Sequence, residues 1–110
     1  MPPSASSAAS GSEAAGATAG ASAEPCVRDA LAEGYRFIDC AEFYANEAEV
    51  GLAVADEAGT GVPRAELFLA SKVWTTNIHA GESAVRAQVE KTLRELRTDY
   101  LDLYLSLIHI

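Results

Sequence analysis

From residue 25 onward the apolar residues alternate between helical and extended spacing, and this alternation limits the possible folds more than any other feature. Pro25 suits a first helical turn, and Gly34 is placed to end that helix. A strand pattern follows, and the same order of helix and strand recurs twice more. In chain order the predicted elements are a helix over 25–34, the strand YRFIDCA, the helix NEAEVGLAVADEAG, the strand AELFLASKVW, the helix SAVRAQVEKTLRELR and the strand DYLDLYL.

This order predicts an α/β fold of parallel strands joined by right-handed helical crossovers, in either an open doubly wound sheet or a closed barrel. A doubly wound nucleotide-binding sheet should carry a glycine-rich turn after its first strand. The sequence contains neither a GxGxxG motif nor a P-loop. The choice between sheet and barrel therefore depends on the polar residues near the strand ends.

The third predicted helix has the clearest amphipathic pattern in the chain. Its charged residues occupy one face, and the opposite face carries the apolar stripe Val85, Val89, Leu93 and Leu96. We expect the helix to pack through this stripe.

The first 24 residues have a different composition. Ala, Ser and Gly account for 18 of them, and the segment has no Leu, Ile, Val or aromatic residue. Because it has almost nothing to bury against its ordering entropy, we expect residues 1–24 to form a low-complexity disordered tail and residues 25–110 to form one domain. The segment lacks the apolar stretch of a secretory signal, and its Ala and Ser content leaves organelle targeting open although it contains no Arg.

Composition also limits the kinds of partner that the chain is expected to bind. The formal charge of −8 argues against nucleic acid, since that partner needs a Lys/Arg surface and the chain has eight such residues. No apolar run approaches the roughly 18 residues of a membrane span, so no membrane partner is expected. Cys26 and Cys40 fit no zinc or redox spacing, and we expect them to be buried and reduced, which predicts a cytoplasmic location. His79, in a predicted loop, has no partner at metal-ligand spacing, so no metal site is expected.

Three polar residues stand near predicted strand ends: Asp39 in the first strand, Tyr44 in the loop after it and Lys72 in the second strand. A barrel of parallel strands places its active site at this carboxyl end. The ammonium of Lys72, among apolar neighbours, needs a carboxylate, which Asp39 could supply. A nearby positive charge favours proton loss from a phenol, so Tyr44 is a candidate proton donor to a developing alkoxide. The alternative is an edge lysine with its amine in water and a tyrosine that only packs.

The same residues resemble a known family. GYRFIDCAEFYANEAEVG is similar to the signature of the aldo-keto reductases, in which a GYRxID-type strand runs into a YxNExxVG turn and helix. LFLASKVW resembles the family's lysine strand, and TLRELRTDYLDLYL resembles the helix and strand that follow it. The resemblance covers Cys26 to Leu105 and implies the N-terminal portion of a (β/α)8 TIM barrel, with about three βα units. The form YANE followed by EVG is similar to the aldose-reductase-like, monomeric members.

The resemblance implies an NADP-dependent oxidoreductase that acts on aldehydes, ketones and alcohols. In that family pattern Asp39 pairs with Lys72, Lys72 tunes Tyr44, and Tyr44 is the general acid while NADPH delivers hydride. The resemblance also implies that Asp39 and Lys72 contact NADP(H). Tyr44 and Trp74 would line the pocket for the small-molecule carbonyl substrate.

The chain departs from the family pattern at both ends. The family's first strand is replaced by the Ala/Ser/Gly tail, and the later strands, whose loops hold most of the family's NADP contacts, are absent. We therefore expect a fragment that is inactive alone. Two other classes stay open at this point: a different (β/α) barrel enzyme such as a metal-dependent hydrolase, and a non-enzymatic truncated product or interaction module.

The last residues give a fourth candidate for the site. The family continues YLDLYL with LIHWP, which would place a catalytic histidine at position 107, where this chain has Leu107. His109 lies two residues later, on the same strand face but about 7 Å further along. It is a candidate for the remaining catalytic role and for substrate binding. The alternative is that LSLIHI, the translation of a common transposon-end sequencing adapter, only imitates the family's histidine strand.

Overall fold

The fold is an alternation of helices and parallel strands. The computed structural model describes residues 4–6 and 19–106. In chain order the elements are β1 Ser4–Ser6, α1 Ala19–Ala32, β2 Phe37–Asp39, a 3-10 turn Glu42–Tyr44, α2 Glu47–Val54, α3 Glu57–Thr60, a 3-10 turn Arg64–Glu66, β3 Phe68–Val73, α4 Thr75–Ala80, α5 Glu82–Leu96 and β4 Leu103–Ser106.

The four strands form one parallel sheet in the order β1-β2-β3-β4. Asp39 on β2 pairs with Ala70 on β3, and Lys72 on β3 pairs with Leu105 on β4. Because the strands are parallel, their carboxyl ends meet at one edge of the sheet. The predicted α/β class and the three predicted strands, β2 to β4, are confirmed.

The two faces of the sheet differ in burial. Ile38, Leu69 and Ser71 lie on the face that the helices cover, and each is 0% exposed. Side chains alternate along a strand, so Asp39 and Lys72 lie on the opposite face. Beside them this face carries half-buried or exposed apolar side chains: Phe37, Phe68, Leu103 and Leu105.

Helix α1 begins earlier than the sequence predicted. We placed Pro25 in the first turn, but the helix starts at Ala19 and Pro25 lies inside it. Ala has the highest helix propensity, and Ala23 is fully buried in the core, so the helix extends into the segment expected to be disordered. Ser4–Ser6 of that segment also pairs with β2. The rest of the predicted tail lies outside the described residues.

The second predicted helix, over residues 46–59, is interrupted. It forms α2 and the short helix α3, with Ala55 and Asp56 between them. The interruption has a local cause, since the Asp56 carboxylate accepts a hydrogen bond from Gly59 N at 2.9 Å and so caps α3. Asp56 also accepts from Arg28 of α1 at 2.9 Å, which ties the two helices together.

Helix α5 packs through a stripe that shares only Leu96 with the one predicted. Its buried residues are Gln88, Thr92 and Leu96, whereas the predicted Val85, Val89 and Leu93 are only half-buried. The polar residues are tolerated inside because they have hydrogen-bond partners there, described below.

The approach of α5 to α2 depends on a glycine. A Cβ at Gly51 would lie 1.9 Å from the backbone oxygen of Glu95, so no other residue fits at this helix crossing. The close contact brings the first turn of α2 within hydrogen-bond reach of α5.

Both cysteines are free, as expected, but only Cys40 is buried; Cys26 is exposed because it lies on the outer side of α1. No helix in the described part of the chain is both long and apolar enough to span a membrane.

Candidate active site

The candidate site lies at the carboxyl edge of the sheet. Asp39 is the last residue of β2, Lys72 lies next to the end of β3, and Trp74 follows that strand. Tyr44 ends the 3-10 turn after β2. The parallel arrangement therefore gathers four predicted site residues at the edge where barrel enzymes place their chemistry.

Lys72 is held on two sides. Its Nζ lies 2.5 Å from Asp39 Oδ1 and donates to the backbone oxygen of Cys40 at 2.9 Å. The Lys72 side chain is 13% exposed and that of Asp39 is 31% exposed. The ammonium is thus largely withdrawn from water, and the carboxylate compensates its charge.

The third neighbour of this ammonium is the Tyr44 ring, whose centroid lies 5.2 Å from Lys72 Nζ. The tyrosine is half-buried, and its backbone N–H donates to Ala41 O at 3.1 Å. The next residue, Ala45, has φ 61° and ψ 31°, a left-handed conformation that is uncommon without glycine. The turn therefore brings a phenol beside a fixed positive charge.

Trp74 forms one side of the site together with Phe43. Their rings are stacked with centroids 4.3 Å apart, and Phe43 is 60% exposed. Glu42 fixes the start of α4 beside this stack: its carboxylate accepts from Trp74 N and from Asn77 Nδ2, each at 2.7 Å. The turn after β2 and the loop after β3 are thus joined by an aromatic stack and a carboxylate.

A second carboxylate, Glu47, lies behind the site and is only 3% exposed. It accepts hydrogen bonds from the hydroxyls of Ser71 on β3 and Thr92 on α5. Burial raises the pKa of Glu47 above its ordinary value of 4.5, and the two hydrogen bonds partly oppose that shift.

Mainly through burial, the pKa of Tyr104 is raised to about 12; its hydroxyl is buried without a hydrogen-bond partner among the described residues.

The sequence did not predict roles for Glu42, Phe43, Glu47, Ser71 or Thr92. A signal existed for one pair: Gln88 and Thr92 stand one turn apart in line with Leu96, so a polar stripe could have been recognised beside the apolar one. Glu47 belongs to the YxNExxVG pattern, but its burial follows only from the packing of α2 against α5.

The two histidines discussed in the sequence analysis are not among the described residues that form the site. His109 lies outside the described residues, so its proximity to Tyr44 stays a prediction. His79 is exposed on α4 rather than in a loop. Among residues 4–6 and 19–106, no group of three or more His, Cys, Asp or Glu could hold a metal ion.

Parallel βα units with an ion pair and a phenol at their carboxyl edge are the arrangement expected of a segment of a (β/α) barrel. A sequence model of the Aldo/keto reductase family matches residues 7–109. Human aldo-keto reductase family 1 member A1 is 49% identical over 81 residues, which are 72% of this chain and 24% of that protein. The mouse protein of the same name is 48% identical over the same length.

Solved structures give the same result. The aldose reductase of Giardia lamblia superposes with a TM-score of 0.69 at 40% identity, over 76% of this chain and 27% of that one. MGS-M4, an aldo-keto reductase from a deep-sea metagenome library, superposes with a TM-score of 0.72 at 39% identity, over 80% and 30%.

The chain therefore belongs to the aldo/keto reductase family, an oxidoreductase family. It spans about a quarter, 24%, of the length of the curated relatives that it matches. This assignment confirms the family resemblance and the partial-barrel fold, and it removes the metal-dependent hydrolase alternative.

Proposed function

We propose that the barrel to which this segment belongs reduces aldehydes or ketones with hydride from NADPH, and that Tyr44 is the general acid. The observation that carries the proposal is the placement of one ammonium, that of Lys72, between the Asp39 carboxylate at 2.5 Å and the Tyr44 ring at 5.2 Å. A carbonyl that accepts hydride develops negative charge on its oxygen and needs a proton at that atom.

The roles of the three residues follow from their charges. The Lys72 ammonium stabilises the negative charge that forms on Tyr44 when the phenol gives up its proton. Asp39 compensates the charge of Lys72 and fixes the direction of its side chain, since the Lys72 side chain is 13% exposed and its ammonium would be costly without a carboxylate. The proton passes from the Tyr44 hydroxyl to the carbonyl oxygen, which becomes the alcohol.

Asp39 and Lys72 are also the residues that would hold the nicotinamide end of NADP(H). The cofactor, when bound, supplies hydride to the carbonyl carbon. The structure fits such a group at this edge because a partly exposed carboxylate and a charged amine stand together there, an acceptor and a donor suited to polar amide and hydroxyl groups.

The substrate side is formed by Trp74 and Phe43. Their stacked rings present apolar surface at the same edge of the sheet, and Phe43 is 60% exposed. Pockets for small molecules combine apolar walls with a few placed polar groups. We infer a small carbonyl compound with an apolar substituent that packs on this stack.

The test uses a chimeric barrel in which residues 26–105 of this chain replace the matching segment of human aldo-keto reductase family 1 member A1. With NADPH and a panel of aldehydes, Tyr44→Phe should reduce kcat by a factor of about 100 to 10,000, because it removes the positioned acid. NADPH affinity, measured by fluorescence titration, should stay near that of the unmodified chimera. Turnover close to the unmodified rate would overturn the assignment of Tyr44.

A further inference from the structure

We propose that Glu47 is a positioning residue, whose buried carboxylate fixes the turn that carries Tyr44 to the strand that carries Lys72. The inference rests on the proposed function, because it concerns the spacing of those two groups. It assigns a task to a buried acidic residue that makes no contact with the reacting atoms.

The connection follows from neighbours in the chain. Glu47 is the first residue of α2 and comes three positions after Tyr44, whereas Ser71 directly precedes Lys72 on β3. Because side chains alternate along a strand, Ser71 points to the helices while Lys72 points to the opposite face. The Ser71 hydroxyl donates to the Glu47 carboxylate. One hydrogen bond thus joins the two segments on the side away from the site.

The carboxylate is also fixed from a second direction. Thr92 Oγ1 on α5 donates to Glu47 Oε1 at 2.8 Å, and Gln88 Nε2 donates to Thr92 Oγ1 at 3.2 Å. Glu47 is 3% exposed, so water cannot replace a lost partner easily. Any shift of the α2 start relative to β3 therefore breaks a buried hydrogen bond, which makes the spacing rigid.

The turn itself needs such support. Ala45, next to Tyr44, lies in the left-handed region at φ 61°, which residues with a Cβ avoid. Its backbone N–H donates to Glu42 O and that of Tyr44 donates to Ala41 O, each at 3.1 Å, so the turn has two bonds of its own on the side toward β2. On the other side the turn runs directly into α2, whose start is held by Glu47. Release of that carboxylate would leave the disfavoured conformation free to relax and would move the phenol.

The two hydroxyls that bind Glu47 provide a matched pair of variants in the chimeric barrel. Ser71→Ala removes the bond to the Lys72 strand, and Thr92→Val removes the bond to α5 with little change in volume. Both should lower the urea midpoint of unfolding by similar amounts. Only Ser71→Ala should lower kcat, by about 10- to 100-fold, because a displacement of about 1 Å is enough for such a loss. KM for the carbonyl should change less than kcat.

Glu47→Gln serves as the conservative variant. The amide can accept from one hydroxyl and donate to the other, so both connections persist and kcat should stay near that of the unmodified chimera. Equal kcat losses in Ser71→Ala and Thr92→Val would reduce Glu47 to a general stabilising role and overturn the proposal, and so would an unchanged kcat in Ser71→Ala.

Two further measurements separate this inference from the proposed function. In the 110-residue chain, nuclear Overhauser contacts between the Lys72 side chain and the Tyr44 ring should weaken in Ser71→Ala and persist in Thr92→Val; the opposite pattern contradicts the proposal without any assay of activity. In the chimera, a normal rate in Tyr44→Phe would refute the proposed function. Loss of activity in Tyr44→Phe with full activity in Ser71→Ala would refute only the positioning role.

Discussion

The two ends of strand β3 each carry an ion pair, and the pairs differ in what surrounds them. At the carboxyl end Lys72 pairs with Asp39; near the amino end Arg64 pairs with Asp102 at 3.1 Å. Both pairs are partly buried. The difference between them supports the proposal that the carboxyl end of the strand serves chemistry and the amino end serves stability.

The pair near the amino end, Arg64 and Asp102, also makes several hydrogen bonds that hold the backbone. Arg64 donates to Thr98 Oγ1 at 2.9 Å, to Leu67 O at 2.9 Å and to Tyr100 O at 2.8 Å, and its guanidinium lies 3.8 Å from the Tyr100 ring centroid. Asp102 also accepts from Leu69 N at 2.8 Å. These bonds connect three segments of backbone, and the planar fork of arginine suits that task.

The pair at the carboxyl end has fewer structural tasks. Among the described residues Lys72 donates to one carboxylate and one carbonyl, and its ammonium also lies beside the ring of Tyr44, a group that can give up a proton. A compact ammonium beside a phenol stabilises charge that appears during a reaction. In barrels of parallel strands, catalytic residues lie at the carboxyl ends of strands and stabilising residues at the amino ends, and this comparison agrees with that rule.

The largest expected effect is the loss of rate on Lys72→Met in the chimeric barrel. Removal of the fixed positive charge should lower kcat by about 100- to 1,000-fold. The free energy of unfolding should fall by only about 1 kcal/mol, because the Asp39 carboxylate left without its partner is 31% exposed and water can solvate it. Steady-state kinetics and urea unfolding measure both quantities, and a large stability loss with a small rate loss would reverse the comparison.

Arg64→Met should have the opposite pair of effects, a large loss of stability and a small loss of rate. The substitution leaves Asp102 and three backbone or hydroxyl acceptors without the donor that Arg64 supplied. The free energy of unfolding should therefore fall by about 3 kcal/mol. The rate at saturating substrate should stay within about twofold of the unmodified chimera at a temperature where both proteins are folded, since no reacting group is touched. A kcat loss comparable to that of Lys72→Met would show that the two ends are not functionally distinct.

A smaller effect is expected when the carboxyl-end pair is removed as a unit. Lys72→Met combined with Asp39→Asn leaves no unpaired charge, so the loss of about 1 kcal/mol caused by Lys72→Met should largely disappear. Activity should not return. If the stability losses of the two single variants simply add, the residues do not interact in solution.

The smallest expected effect is on the pH dependence of stability. Burial raises the pKa of Glu47 above 4.5, the charges of Glu95 and Glu42 raise it further, and hydrogen bonds from Ser71 and Thr92 lower it. A carboxyl with a raised pKa holds its proton more tightly in the folded state, so its stabilising contribution is present below about pH 4.5 and is lost as pH rises through the raised pKa.

Glu47→Gln removes this dependence. Relative to the unmodified chimera, the variant should gain stability as pH rises from 4.5 upward, and urea midpoints measured across that range give the difference. A difference that stays constant with pH would show that Glu47 titrates like an ordinary carboxyl.

The sequence was sufficient to place three polar residues at the carboxyl edge of the sheet, while their catalytic roles stay predictions. Asp39, Tyr44 and Lys72 could be named because parallel strands bring their carboxyl ends together and because a buried lysine needs a carboxylate. The family resemblance added the barrel, and it added the role of Trp74 in the substrate pocket, which stays a prediction. Each of these inferences depends on local order in the chain, which a sequence displays directly.

The residues that were missed depend on how separate segments pack. Glu47 is buried because Gly51 lets α2 approach α5, and Thr92 points inward because that carboxylate accepts a hydrogen bond from its hydroxyl. The periodicity of α5 instead favoured Val85, Val89 and Leu93, since apolar residues are the usual buried face. A buried polar pair is specified by both partners, so neither segment predicts it alone.

The direct test of the central proposal is a double-mutant cycle for kcat in the chimeric barrel, with Lys72→Met and Arg64→Met each measured in the unmodified and in the Tyr44→Phe background. If the charge of Lys72 acts through the Tyr44 hydroxyl, Lys72→Met should cost far less in the Tyr44→Phe background than in the unmodified chimera, because the proton donor that the charge assists is already gone. Arg64→Met, which removes an equal charge near the other end of β3, should change kcat by about twofold or less in both backgrounds. Equal losses for Lys72→Met in the two backgrounds, or a similar coupling between Arg64→Met and Tyr44→Phe, would contradict the assignment of catalysis to the carboxyl end.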